Sequence, residues 1–284
     1  MLDKETIDRV VTEALHEDAP TGDITSLLAI TEDATATAVL AAREPGTFSG
    51  ADVFEAAFRL TDPRITVVLL QKDGDRFVPG DELARVSGPA RGILTAERIG
   101  LNFTQRMSGI ATLTATYVDA IKGTGATILD TRKTTPNLRA FERHAVVCGG
   151  GTNHRLNLST AFMAKDNHLA VLLAGGKDLT TELQRVKTEL PAGVKFEVEV
   201  DRLDQIEPVI AGGVDIIMLD NFSLADLKTG VAQVAGRAVV EASGGVNLDT
   251  VRAIAETGVD VISVGALTHS ARALDLGLDV TIDA

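Results

Sequence analysis

Lys195-Phe196-Glu197-Val198-Glu199-Val200-Asp201 alternates apolar and acidic residues and then stops on a charge. A strand period of two sends Glu197 and Glu199 to one face, and Val198 and Val200 to the other. Carboxylates placed in this way are costly to bury unless a cation or metal answers them. Five more apolar runs of this kind lie around it, at Ala126–Lys133, Ala161–His168, Asp215–Asn221, Ala238–Gly245 and Asp260–Leu267, each leading into a helix-like segment. Strands alternating with helices mean parallel βα units. Their polar ends are Asp130-Thr131-Arg132-Lys133, Lys165-Asp166-Asn167-His168, Asp220-Asn221, Ser243-Gly244-Gly245 and Gly265. Such ends meet on one face of an α/β barrel, the face that hosts chemistry. With six clear units, the expected fold class is α/β: an open α/β barrel with fewer than eight strands, preceded by a smaller α+β sandwich domain.

That smaller domain is read from the first hundred residues. Ile7, Val10, Val11, Ala14 and Leu15 have helical spacing, and Pro20-Thr21-Gly22-Asp23 breaks the helix. Ala34–Ala42 and Arg64–Gln71 read as strands bounded by turns, including Pro45-Gly46 and Asp73-Gly74. A long helix is expected from Thr95 to about Lys122, with Gly109 as a break or close-packing point. The boundaries that follow are 1–107 for the N-terminal domain and 108–267 for the barrel.

Composition narrows the partners. A formal charge of −13 over 284 residues argues against nucleic acid and anionic membranes, which reward basic residues. No apolar run reaches the roughly 20 residues of a membrane helix, and the start, Met1-Leu2-Asp3-Lys4-Glu5, is acidic where a signal peptide would be basic. The expectation is a cytoplasmic protein. Cys148, the single cysteine, cannot form an internal disulfide and reads as a packing residue.

Against that acidic background the basic residues are informative. Arg98, Arg132, Lys133, Arg139, His154, Arg155 and Lys165 mix guanidinium forks, which suit carboxylates, with lysines, which suit phosphates. For Arg139 an ion pair with Glu142 competes with a binding role. Glu199, Glu197 and Asp220 could hold Mg²⁺ through its waters when a substrate brings phosphates, or form structural ion pairs with Lys133 and Lys165. Ser243-Gly244-Gly245 and Gly265-Ala266-Leu267 precede the last two helices, where backbone amides commonly cradle phosphate. Gly149-Gly150-Gly151 reads as a mobile loop that delivers His154 and Arg155 to the same region.

These residues resemble the quinolinate phosphoribosyltransferase family over nearly the whole chain. The resemblance is carried by His16-Glu17-Asp18, Gly22-Asp23-Ile24-Thr25, Ala96-Glu97-Arg98, Ser108-Gly109-Ile110-Ala111-Thr112, Asp130-Thr131-Arg132-Lys133-Thr134, Asn153-His154-Arg155-Leu156 and Lys165-Asp166-Asn167-His168. Glu197-Val198-Glu199-Val200, Leu219-Asp220-Asn221-Phe222, Ser243-Gly244-Gly245 and Val264-Gly265-Ala266-Leu267 complete it. It implies phosphoribosyl transfer from phosphoribosyl pyrophosphate to quinolinate with loss of carbon dioxide, giving nicotinate mononucleotide. It implies a homodimer in which Arg98 enters the partner's site. Arg132, His154, Arg155 and Lys165 would bind quinolinate. Lys133, Glu199 and Asp220 would handle phosphoribosyl pyrophosphate and its Mg²⁺, while Ser243, Gly244 and Gly265 cradle phosphate. Segment 268–284 would return to the N-terminal domain.

Asn137 and Asn157 stand where the family pattern often has Gly; Asn tolerates positive φ best among the other residues. No organic cofactor is required, because the product's pyridinium nitrogen takes up the electrons of decarboxylation. Lys165 is the candidate proton donor to the resulting carbanion. The rival within the fold is a molybdenum-transport-associated paralogue with another acceptor. A Schiff-base lyase using Lys133 or Lys165, and a phosphosugar-binding regulator, are rivals of other classes.

Overall fold

Eight residues, Thr35-Ala-Thr-Ala-Val-Leu-Ala-Ala42, form the centre of the first sheet because their alternation hides Ala36, Ala38 and Leu40 while Thr35 and Thr37 face water. The computed structural model describes residues 2–283, so Met1 and Ala284, the outer limits of the expected N-terminal domain, lie outside it. In chain order the strands are β1 Thr35–Ala42, β2 Gly46–Thr47, β3 Thr66–Leu69, β4 Arg76–Phe77, β5 Glu82–Pro89, β6 Thr127–Leu129, β7 Ala161–Ala164, β8 Lys195–Val200, β9 Ile216–Asp220, β10 Val239–Ser243, β11 Val261–Ser263 and β12 Leu276–Asp283.

Two units result, Met1–Ala115 with Thr134–Gly150 and Leu267–Ala284, and Thr116–Lys133 with Gly151–Ala266. In the first, the sheet order is β12-β1-β5-β3, and the β1 neighbours β12 and β5 both run antiparallel to it. Thr35 pairs with Asp283 and Ala42 with Leu276, so the last strand of the chain closes against the first. Helix Lys4–Asp18 begins on Asp3, whose carboxylate accepts the Thr6 N–H at 2.8 Å. Phe48, Phe54, Phe58 and Leu83 fill the core.

The long helix runs from Ala90 to Ala120 without a break at Gly109. A Cβ on Gly109 would lie 1.9 Å from the Arg272 carbonyl oxygen, so this glycine permits close packing by the returning C-terminal segment. Segment 134–150, expected with the barrel, belongs to the first unit. There Glu142, 1% exposed, accepts Arg106 Nη2 at 2.9 Å and the Thr135 N–H at 3.0 Å. Arg139 Nε donates to Thr134 Oγ1 at 3.0 Å.

The second unit is a six-stranded parallel sheet in the order β6-β11-β10-β9-β8-β7 with helices between successive strands. Its end strands are not paired with each other among the described residues, so the sheet is open. Beyond β6 one further residue, Thr152, bridges Leu129 in parallel. Val198, Val200, Ile217, Leu219, Val240, Ala242 and Ile262 alternate onto the helix-covered side.

Candidate active site

The registers place the polar residues of the open sheet in rows. Met163 pairs with Glu197 and Glu199 with Met218; Met218 pairs in turn with Glu241. Asp220 pairs with Ser243 one row further on. Since side chains alternate, Glu197, Glu199, Asp220, Glu241 and Ser243 all face the same side.

Within this unit the acidic residues do different work. Lys165 caps helix Asp166–Leu172 in an extended conformation, and its ammonium donates to Glu199. The expected structural pairing of Glu199 with Lys165 is formed. Glu197 is 1% exposed and turns instead to His154, whose Nε2 lies 3.3 Å from Glu197 Oε2 and 3.4 Å from Glu241 Oε2. Glu241, also buried, accepts Ser263 Oγ at 2.5 Å. Burial alone would depress the His154 imidazole, but the hydrogen bonds to Glu197 and Glu241 outweigh it and raise it to about 10. Burial also raises the Glu197 carboxyl. In the neutral ring Nδ1 accepts the Arg155 backbone N–H at 2.7 Å. Nε2 points its N–H at the two carboxylates, which favour the charged ring.

His154 is held from the other side as well. Asp130, buried at the end of β6, accepts the His154 N–H at 2.6 Å, and Thr152 exchanges backbone hydrogen bonds with Ile128 and Asp130. These bonds anchor the segment after the glycine run beside the basic end of β6.

Arg155 and Arg132 are close enough that each opposes the other's charge. Burial lowers the Arg155 pKa, the Arg132 guanidinium lowers it further, and Glu197 pulls it back. Arg132 Nε is buried and has no hydrogen-bond partner among the described residues. Two like-charged guanidiniums, one with a buried donor that no described residue accepts, have the chemistry that suits a carboxylate-bearing anion. Lys133, exposed on the same turn, donates its backbone N–H to Thr131 Oγ1 at 3.1 Å.

Gly244 has φ +91, and a Cβ there would lie 2.2 Å from Asn221 Oδ1. Asn221 itself is left-handed at φ 56 and donates its backbone N–H to the Ser243 carbonyl. This interlock shapes the Ser243-Gly244-Gly245 turn, but the helix does not follow at once. Asn247 Oδ1 accepts Asp249 and Thr250 N–H groups in an intervening turn, so the helix starts only at Val251. The expected cradle here is a turn rather than a helix start. Gly265 does stand directly before helix Ala266–His269.

Asn137 is left-handed at φ 65, the conformation for which glycine would otherwise be used. Asn157 is not among the positive-φ residues; its side chain instead accepts the Ser159 N–H at 2.9 Å. Arg98 is exposed on the long helix of the first unit. Sequence reasoning missed Glu241 as a site residue. The signal was present, a lone charge between Val240 and Ala242 in an apolar strand.

Residues 110–279 match the family model described as "Quinolinate phosphoribosyl transferase, C-terminal domain", and residues 23–108 match its N-terminal domain. The chain is 42% identical over 278 residues to the nicotinate-nucleotide pyrophosphorylase [carboxylating] of Mycobacterium leprae, covering 95% of each chain. It is 40% identical over 266 residues to a probable enzyme of the same name from Bacillus subtilis, covering 94% of this chain and 90% of that one. The crystal structure of NadC from Streptococcus pyogenes superposes with a TM-score of 0.94 at 39% identity, covering 100% and 99%.

Proposed function

This chain belongs to the quinolinate phosphoribosyl transferase family, and on that premise we propose how its own residues carry out the reaction. It transfers the phosphoribosyl group of phosphoribosyl pyrophosphate to quinolinate with decarboxylation, giving nicotinate mononucleotide, pyrophosphate and carbon dioxide for NAD biosynthesis.

The observation that carries the assignment of roles is the buried Arg132 Nε with no acceptor among the described residues, beside an Arg155 whose charge Arg132 opposes. A dianion bearing two adjacent carboxylates relieves that repulsion. Its binding turns the ring nitrogen toward the sugar, which is catalysis by positioning. His154 acts here through its neighbours, fixing the Arg155 backbone from Nδ1 while Glu197 and Glu241 hold Nε2.

In the transfer step the ring nitrogen's lone pair forms the bond to the anomeric carbon. The carbon–oxygen bond to pyrophosphate breaks with its electrons leaving on oxygen. Lys133 and Lys165 receive the negative charge, and Glu199 and Asp220 face the developing positive charge on the sugar. The bond from the ring to the adjacent carboxylate then breaks, its pair stabilised by the neighbouring pyridinium until a proton replaces carbon dioxide. Glu199 and Asp220 offer hard oxygen donors on one sheet face, a fit for Mg²⁺, which would neutralise pyrophosphate charge when bound. Ser243, Gly244 and Gly265 lie at the strand ends suited to phosphate. The enzyme works as a homodimer in the cytoplasm, with exposed Arg98 reaching into the partner's site.

The direct test is to incubate the purified protein with quinolinate, phosphoribosyl pyrophosphate and Mg²⁺ and follow nicotinate mononucleotide chromatographically, with nicotinate in a parallel tube. Product from quinolinate alone is expected. Equal product from nicotinate would remove the dicarboxylate role of the two arginines.

A further inference from the structure

Apart from the sheet face, one other cluster among the described residues brings nitrogen, oxygen and sulfur donors together. His144 and Cys148 lie four apart on helix Arg139–Cys148, a spacing that puts both side chains on one face, one turn apart. Opposite them stands Asp73, in the turn after β3. A His144 ring nitrogen and the Asp73 Oδ2 are 2.5 Å apart. One donor atom from each of the three residues lies within 4.8 Å of the other two. All three residues belong to the first unit.

Asp73 is held in place independently of the other two. Its Oδ1 accepts the N–H groups of Gly50 and Ala51 at 2.9 and 3.0 Å, at the start of helix Ala51–Thr61, which leaves Oδ2 directed at His144. The His144 and Asp73 side chains are 27% and 24% exposed, and Cys148 is half-buried. The cluster is thus open enough to admit an ion and a water. It is also enclosed enough to favour one orientation of its donors.

We infer that Asp73, His144 and Cys148 form a second cation site, built for a thiophilic divalent ion of the zinc class. The donor set decides the class: thiolate and imidazole together select Zn²⁺-like ions, whereas Mg²⁺ takes hard oxygens. The distances allow it. Metal bonds of about 2.0–2.3 Å in a tetrahedron separate ligand atoms by roughly 3.3–3.8 Å, a spacing between the present 2.5 Å contact and the 4.8 Å outer limit. The cation enters between His144 and Asp73, the proton on the His144 nitrogen that binds it passes to solvent, and the thiol proton of Cys148 is likewise released to solvent as the metal–sulfur bond forms. Water completes the fourth position. The ion would tie the helix carrying His144 to the turn carrying Asp73. The inference does not depend on the transferase reading.

The single cysteine makes the test self-assigning. Purified full-length protein is titrated with Co²⁺ alone, and thiolate-to-cobalt charge-transfer absorption is followed in the near ultraviolet. The band is expected in the unaltered protein, absent in Cys148→Ser, and displaced to at least about tenfold higher Co²⁺ in His144→Ala or Asp73→Asn. Co²⁺ held by Glu199 and Asp220 produces no such band, because the one thiol of the chain, Cys148, lies elsewhere and the methionines of that sheet carry no thiolate. As a second measurement on unaltered protein, Zn²⁺ should slow alkylation of Cys148 by about tenfold or more, with EDTA restoring the rate. No band and no protection overturns the site. A band unchanged in both His144→Ala and Asp73→Asn overturns it too, since the thiol would then bind unaided.

Discussion

His154 Nε2 lies 3.3 Å from the buried carboxylate of Glu197, while the same ring's Nδ1 receives the backbone N–H of Arg155. The acid buried in β8 thereby sets the orientation of an arginine from another part of the chain. Glu197→Gln removes the charge and keeps the shape. The kcat/KM for quinolinate is expected to fall about 10- to 100-fold, the scale of a small misplacement of a binding group. The loss should appear mainly in KM for quinolinate, with phosphoribosyl pyrophosphate little affected. Equal loss for both substrates would show that Glu197 supports the fold and not Arg155.

The same cluster makes a pH prediction. His154 is raised from 6.5 to about 10, so its stabilisation is complete below 6.5 and is lost as pH rises through about 10. Urea unfolding from pH 6 to 10 should show declining stability over that window. In Glu197→Gln the decline should come at lower pH. Superimposable profiles would show that Glu197 does not hold the charge on His154.

On the acid side the sign reverses. Glu44 is lowered from 4.5 to about 2, first by the Arg272 guanidinium and then by the Asp275 N–H. Its contribution is present above 4.5 and is lost as pH falls through about 2. Because Arg272 is 69% exposed, solvent screening limits this to about 1 kcal/mol. Glu44→Gln should be less stable than the unaltered protein at pH 7 and equal to it near pH 2, as measured by denaturant midpoints.

Gly244→Ala combines a left-handed backbone with a Cβ 2.2 Å from Asn221 Oδ1. Backbone strain alone costs about 1–2 kcal/mol, and the turn must shift as well. The expected result is weaker phosphoribosyl pyrophosphate binding, read by calorimetry, with quinolinate binding retained. Unaltered affinity would remove this turn from the phosphate site.

Arg98→Ala and Lys133→Ala should each be inactive as homodimers. Mixed under conditions that exchange subunits, they should recover part of the activity, because a heterodimer contains one intact composite site. Verified heterodimers without activity would place Arg98 outside the partner's site.

The chain's periodicities reach a definite distance into the structure. The alternation in Lys195–Asp201 and its five counterparts determined parallel βα units, charged strand ends on one face and the pairing of Glu197 with Glu199 on that face. Local spacing suffices for this because side-chain direction depends only on neighbouring backbone angles. Gly109 was legible as a break or close-packing point, and the positive φ of Asn137 only through the family resemblance, which marked Asn157 equally and without the same outcome.

What the tertiary structure alone decided are the meetings between distant segments. Strand order and register brought Glu241 beside Glu197 and turned both toward His154, so one acidic residue of the Glu197 and Glu199 pair holds an imidazole and the other a lysine. Packing placed segment 134–150 in the first unit, where His144 and Cys148 meet Asp73. Composition had marked Cys148 only as packing. The reason is physical: a charge's partner and a donor's geometry depend on distances of a few ångströms between residues far apart in sequence, and on the burial around them. Neither is contained in any local stretch of the chain.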